Sequence, residues 1–511
     1  MPPLAPGSSV AGADGGLAGA VREVLGESGA IGATVRQIAS RLDDRPEHVA
    51  AVLDTLRQRG DVLRMGRGLF VLRDFERLAE RDDFVDPGSY VERFAKEDGV
   101  PLGQYAGPIT FRSNETLPVH RWWPYVQGYS AEFVARVIAD ADLPKDATVL
   151  DPFAGSGTTL VEARRAGARA LGTELLAPAA LAARVKTAFE LDPRALARAA
   201  EHTLARAALR PPGVLPFLRE TLRQFDPSAL RDLTRLRDTL PPVGDPVSDA
   251  VRLAFGRILI PSSRLHRSPC LGYGPRRAGS MTPPFDRFRE AVDEMVADLE
   301  VLRSERTRWG APAEVTEGDA RTGGWRPRSV ELAITSPPYV NGMDYVMNYK
   351  VDLAWLGYAR SYADLAAIRR AQVACDNLPR REAAPYLDTR AVRDPWLGEI
   401  LGRIRENLVR KSNYRRNDVH AIVHRYFADL RPVLDGVYRA LAPGGQFVVV
   451  VGDSLLAGTY VPGDLLLARL GAARGFRIVS VEVARRRRSG QRRSFELRES
   501  IVTLERPRSA R

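Results

Sequence analysis

The chain has 511 residues, 44% of them hydrophobic, and its 75 Lys and Arg against 63 Asp and Glu leave a formal charge of +12. That length predicts more than one domain with ample material for a large core. Two cysteines, Cys270 and Cys375, neither in a CxxC pair, argue against a disulfide framework or a zinc site, and no run approaches the roughly 18 apolar residues of a membrane span.

The positive balance suits a polyanionic partner, because protein cations displace counterions from phosphates; an Arg- and Ala-rich coding composition accounts for it equally well. The opening MPPLAPGSSVAGADGG has neither a basic n-region nor an apolar h-region. Residues 1–15 therefore read as a disordered tail, not a signal peptide, and the chain is expected in the cytoplasm. Residues 16–74 hold three short helical patterns and a ribbon. Leu17, Val21, Val24 and Leu25 mark the first helix, 34–42 form the second, and Val49, Val52, Leu53 and Leu56 follow Pro46 in the third. DVLRM, the turn GRG and LFVLRD form the ribbon. This set resembles a winged helix-turn-helix domain, whose Arg57, Arg59, Arg64 and Arg67 would meet DNA; the same arrangement also serves protein contacts. Residues 75–105 are charged and irregular, and are expected to be a linker.

From 106 to 511 strands and helices alternate. ATVLD (147–151) is a buried strand, residues 158–166 a helix, and ARALGTE (168–174), ELAITS (331–336) and QFVVVVGD (446–453) are further strands. RIVSVEVA (477–484) and SIVTLER (500–506) form a closing hairpin. Such alternation predicts an α/β doubly wound sheet, interrupted by a helical insertion at 187–310 that is a candidate target-recognition region.

The most particular local signal is Asp151-Pro152-Phe153-Ala154-Gly155-Ser156-Gly157-Thr158-Thr159, between a strand and a helix. Gly155 and Gly157 allow a tight turn and close approach to a ligand, which the free N–H groups of the helix start then face. No lysine follows the last glycine, as a phosphate would require. A zwitterionic amino-acid moiety would use backbone groups, with a carboxylate such as Asp151 for its ammonium. Glu174 ends the next strand, where an acid accepts hydrogen bonds from ribose hydroxyls. The second signal, Thr335-Ser336-Pro337-Pro338-Tyr339, directly follows a strand. Its prolines fix the backbone and leave carbonyls, one hydroxyl and an aromatic face on a rigid turn. An exocyclic amine has two hydrogens to donate, and the Pro337 carbonyl and Ser336 hydroxyl can accept them. Tyr339 would stack on a base lifted from the duplex.

DPFAGSGTT and SPPY together resemble the motifs of DNA amino-methyltransferases. The resemblance implies a Rossmann-like class I methyltransferase fold and S-adenosyl-L-methionine as cofactor. Pro152, Phe153, Gly155, Gly157, Thr158, Glu174 and Thr335 would then lie beside it, with Asp151. Glu317-Gly318-Asp319-Ala320 is similar to the family's third motif, which would set Asp319 on the cofactor's adenine amine. HRWWPYVQGYSAEFVARVI (120–138) is similar to the tenth, and Trp122, Trp123, Tyr129 and Phe133 are either cofactor neighbours or plain core. Ser in first place is typical of cytosine-N4 enzymes, Asp or Asn of adenine-N6 enzymes. The expected activity is therefore amino methylation of DNA, cytosine N4 ahead of adenine N6. An RNA base amino-methyltransferase and an inactive DNA-binding regulator are the further alternatives. Double-stranded DNA is the expected partner, together with cognate restriction or phage-defence proteins, and no metal is expected.

Ser268-Pro269-Cys270 lacks the glutamine and glutamate companions that a carbon-5 cytosine enzyme needs, so Cys270 is expected to be a decoy. Three arginine-rich segments are candidate DNA grips. They are 264–277, 410–416, and a loop carrying Arg485, Arg486, Arg487, Arg488, Arg492 and Arg493.

Overall fold

The computed structural model describes residues 13–28, 33–59, 61–65, 69–72, 87–125, 128–267, 270–274, 282–304, 309–375, 378–387, 392–410, 416–488 and 496–508. The first helix is Ala13–Ser28, so helix begins inside the segment expected to be a tail. Helices Val35–Leu42 and Pro46–Gln58 follow, with strands β1 (Ala33–Thr34), β2 (Val62–Met65) and β3 (Leu69–Leu72) paired antiparallel in the order β1-β3-β2. Thr34 caps the second helix: its hydroxyl accepts from Gln37 N, and the Gln37 side chain accepts from Thr34 N at 2.9 Å. Val21, Leu25, Ile38, Val49, Leu53 and Leu56 close a small core of their own. Arg67 lies outside the described residues.

Residues 87–105 are not the linker expected of them; residues 75–86 lie outside the described residues. Pro87–Glu97 is a helix whose Tyr90 and Phe94 are buried against Trp396. The segment reads as polar because its outer face carries Arg93 and Glu97, paired at 2.7 Å, while the apolar pair at i, i+4 forms a single stripe.

The main sheet contains β4 (Leu102–Gln104), β5 (Thr148–Asp151) and β6 (Arg169–Glu174). A helical stretch then carries the small hairpin β7 (Leu265–Arg267) and β8 (Leu271–Tyr273). β9 (Glu314–Glu317), β10 (Val330–Thr335) and β11 (Leu441–Gly452) rejoin the sheet. After a second hairpin, β12 (Ser454–Leu456) and β13 (Thr459–Val461), β14 (Arg477–Arg488) and β15 (Glu496–Glu505) complete it. The order is β4-β14-β15-β11-β10-β5-β6-β9, with β15 antiparallel to β11 and β14 and the strands from β11 to β9 parallel. The unbroken run of valines in β11 follows from burial on both faces. Phe447, Val449 and Val451 enter one core and Val448 and Val450 the opposite one.

The chain steps outward from β5 to β6 and β9, then returns to build β10 and β11 on the other side. Helices on either side of this reversal diverge, and a crevice opens beyond the carboxyl ends of β5 and β10. This is a doubly wound α/β architecture closed by a β14–β15 hairpin, as the alternation of elements predicts. The insertion is not loosely appended. Its helices share a core with the helix Ala177–Lys186 and the helix Tyr345–Trp355. From the insertion helix Pro284–Ser304, Asp298 accepts hydrogen bonds from Val119 N at 2.9 Å and Trp122 Nε1 at 2.8 Å.

Candidate active site

An open cleft lies at the carboxyl ends of β5, β6, β9 and β10, where open α/β sheets place their ligands. Gly155 sits at φ +52° and Gly157 at φ +86°, conformations that L side chains rarely adopt. A Cβ on Gly155 would lie 2.9 Å from the Tyr125 ring, and one on Gly157 2.9 Å from Ala183 Cα. The turn is thus pressed between an aromatic wall and a helix, and Gly157 becomes the N-cap of helix Thr158–Arg165.

Glu174 binds the turn to the next strand: its carboxylate accepts from Gly155 N at 2.8 Å and Leu176 N at 2.7 Å. Burial pushes its carboxyl up to about 7, against hydrogen bonds from the Leu176, Gly155 and Leu175 amides. It lines the cleft with Pro152, Phe153, Gly155, Thr158 and Asp319.

Asp151 does not line the cleft, and this corrects the expectation that it meets a ligand's ammonium. Its Oδ1 accepts from Thr335 Oγ1 at 2.7 Å and Phe153 N at 3.0 Å. Its Oδ2 accepts from Thr159 Oγ1 and the Tyr129 hydroxyl, each at 2.7 Å. A carboxylate offers about four lone-pair positions, and all are taken by the protein. Asp151 and Thr335 therefore form a buried clasp between β5 and β10, behind the cleft, while burial raises the Asp151 carboxyl. Asp319 lies at the cleft wall but is held by Arg321, whose Nη2 donates to it at 2.7 Å and whose Nη1 donates to Asp429 at 2.8 Å.

Ser336 and Pro338 face the same cleft from the end of β10. Tyr339 is turned the other way. Its hydroxyl donates to Glu499 Oε1 at 2.7 Å, and Glu499 also accepts from Arg485. Gly452, Glu499 and Arg485 are one row across β11, β15 and β14. Tyr339 fits over this row because Gly452 has no side chain; a Cβ there would be 2.7 Å from the ring. Arg487 lies 5.9 Å from the ring centre and donates to the Asp453 carbonyl at 2.5 Å. The Ser336 side chain hydrogen-bonds the Tyr339 hydroxyl, and burial lifts the phenol well above its usual range. Ser336, Tyr339, Glu499 and Arg485 are therefore one linked chain.

Arg485–Arg488 are strand residues, not a loop. Arg485 and Arg487 are committed to the surroundings of Tyr339, and Arg486 pairs with Glu496 at 3.4 Å; Arg492 and Arg493 lie outside the described residues. The aromatic segment divides. Tyr125 and Tyr129 line the cleft, whereas Trp122 and Trp123 are buried in the insertion's core and Phe133 under the sheet. Cys270 is exposed on the β7–β8 hairpin.

Two lining segments carried no sequence signal. Met343 and Tyr345 follow the Pro-Pro turn, and Tyr345 stacks on Tyr125 with ring centres 6.3 Å apart. Gln372, Val373 and Cys375 close the far side. The cleft thus combines a glycine cradle, a buried acid beside it, a second acid at the next strand and aromatic walls. That donor set fits a nucleoside joined to an amino-acid tail.

A family model described as DNA methylase matches residues 118–182, the span from the aromatic segment through the glycine turn and Glu174. Type II methyltransferase M.BsoBI of Geobacillus stearothermophilus is 22% identical over 450 residues, covering 78% of this chain and 88% of the relative. Type II methyltransferase M.AvaI of Nostoc sp. is 24% identical over 410 residues, covering 73% and 82%. Among solved structures, an S-adenosylmethionine-dependent methyltransferase from Methanosarcina mazei aligns at 10% identity and a TM-score of 0.26, covering 73% of this chain and 98% of that one. Over most of its length the chain is thus similar to Type II methyltransferases, and its residues 118–182 match the DNA methylase model.

Proposed function

We propose that this chain methylates cytosine N4 in double-stranded DNA, acting on a base swung out of the helix, as the modification half of a restriction or defence system. One observation carries the reading: the glycine turn with Glu174 and Asp319, together with Ser336 and Pro338, lines one cleft at the topological switch point.

S-adenosyl-L-methionine supplies an electrophilic methyl group when bound. Glu174, held by backbone amides, suits ribose hydroxyls; Asp319, fixed by Arg321, suits the adenine amine. The Pro337 carbonyl and the Ser336 hydroxyl accept the two hydrogens of the target amine. A serine hydroxyl both donates and accepts. By donating to Tyr339 it directs its lone pairs back toward the amine, and Glu499 holds Tyr339 in register. The contribution is positioning and electrostatics, without a covalent enzyme intermediate. Tyr339, packed over Gly452 behind the turn, holds the Pro-Pro turn in place, and stacking on the base would use its outer ring face. The domain at 16–74, Arg486, Arg488, Arg492 and Arg493 are proposed to meet DNA phosphates.

The test is digestion of in vitro methylated DNA to nucleosides and mass spectrometry. N4-methylcytosine is expected. Methyladenosine alone would sink the cytosine assignment, and methyl groups only at carbon 5 would sink the mechanism. Ser336→Ala should lower kcat while leaving cofactor affinity near wild type.

A further inference from the structure

Beside the cleft mouth the insertion and the helix Tyr345–Trp355 build one exposed surface. The hairpin strand β8 packs against that helix, and Arg267 of β7 donates to the Asn348 carbonyl at 3.1 Å and lies 4.4 Å over the Tyr349 ring. Lys350 on the same helix reaches Glu220 at 3.4 Å, which brings residues 219–223 alongside. The helix begins at Tyr345, a cleft residue, so the element that supports this surface starts in the site.

Two arginines on this surface each lie over a tyrosine ring. Arg223 lies 4.7 Å over the Tyr273 ring and donates from Nε to its hydroxyl at 2.8 Å. Arg219 lies 5.6 Å over the Tyr362 ring, whose hydroxyl accepts from Arg219 N at 2.9 Å. Both are exposed, and among the described residues neither guanidinium has a carboxylate within ion-pair distance. Elsewhere arginines are typically consumed by acids, as at Arg121–Asp298 and Arg257–Glu294. Around these two, Leu222, Tyr273 and Met347 are large apolar side chains left in solvent, Leu222 to 70%.

Planar cations with unmet donors, stacked so that they lose little freedom on binding, match base edges in the DNA major groove. There Arg takes guanine O6 and N7 together, and exposed Leu and Met suit thymine methyl groups. We propose that this surface reads the base pairs flanking the methylated base, with Arg223 and Arg219 as the specificity-determining residues. The inference rests on the DNA-methylating function above. Duplex DNA is favoured over an acidic protein partner because the helix supporting this surface begins at the cleft, where the target base would enter.

The experiment uses the full chain with Arg219→Ala, Arg223→Ala and Arg223→Lys. Methylated positions on a random-sequence duplex library are mapped by sequencing, alongside cofactor affinity by calorimetry. Arg223→Ala is expected to lower kcat/KM about 10- to 100-fold on preferred sites and to relax preference at one position. Arg223→Lys is expected to recover binding but not preference, since it restores charge without the fork. An unchanged site spectrum in both alanine variants, with cofactor affinity intact, would overturn the inference, as would full recovery of preference by lysine. Retained DNA methylation that loses only stimulation by an added protein would assign the surface to a protein instead, and overturn it too. If wild type transfers no methyl group to DNA, the functional reading itself falls, and this inference with it.

Discussion

Asp151 and Glu174 are buried carboxylates at the ends of neighbouring strands, and their contacts separate their roles. Asp151 satisfies three hydroxyls and an amide. Asp151→Ala leaves these buried donors unmet, so it should cost more than about 3 kcal/mol of stability. Urea denaturation checks this; a stable Asp151→Ala that merely loses cofactor would return Asp151 to the ligand. For Glu174 the folded carboxyl titrates at about 7 against an ordinary 4.5, because burial opposes its charge. The folded chain thus keeps a proton that the unfolded chain releases. The associated stability is complete below the unfolded value and is lost as pH rises through about 7. Ribose hydroxyls favour the ionised form, so cofactor affinity should rise over the same window. Glu174→Gln should flatten both profiles and weaken cofactor binding by about tenfold or more. Calorimetry between about pH 6 and pH 8 decides it; a pH-independent wild type would remove Glu174 from the cofactor. At Glu499, Ala should reduce kcat roughly tenfold or more through loss of Tyr339's register, with cofactor affinity unchanged, and Gln should restore much of it. Full activity in Glu499→Ala would mean that Tyr339 needs no such support.

At the scale of elements, strand β14 carries its arginines inward and outward by turns, and the sequence run Arg485–Arg488 conceals that alternation. Arg485 and Arg487 support the Tyr339 turn; Arg486 is exposed and, among the described residues, pairs with Glu496, a pair expected to contribute less than about 1 kcal/mol. Arg487→Ala should therefore lower kcat and leave the salt dependence of DNA binding alone. Arg486→Ala should reduce the log–log salt slope by about 0.9 if it meets a phosphate. Filter binding across salt separates the two, and equal slopes for Arg486→Ala and wild type would place that face away from DNA. The glycine turn was legible as an element because Gly155 and Gly157 are required by positive φ. The Glu499 support was not, since it joins Tyr339 across 160 residues of chain and depends on strand register alone.

For the whole molecule, the two cysteines report on two different regions. Exposed Cys270 should alkylate readily, and Cys270→Ala should keep methylation largely intact, because amine transfer needs no thiolate. Buried Cys375 lines the cleft and should alkylate slowly, and more slowly with S-adenosylmethionine present; mass spectrometry of labelled peptides reads both, and equal rates with and without cofactor would place the cofactor away from that wall. The sequence by itself determined the alternation of strands and helices, the glycine turn, and the Pro-Pro edge, because local backbone geometry and burial periodicity are written in neighbouring residues. Tertiary structure alone decided that 87–105 joins the core and that Asp151 and Thr335 clasp two strands behind the cleft. It alone aligned Gly452, Glu499 and Arg485 beneath Tyr339, and set stacked arginines from the insertion beside the site. Those contacts depend on which strands become neighbours, and pairing between distant segments is fixed by the packing of the whole sheet, not by any stretch within it.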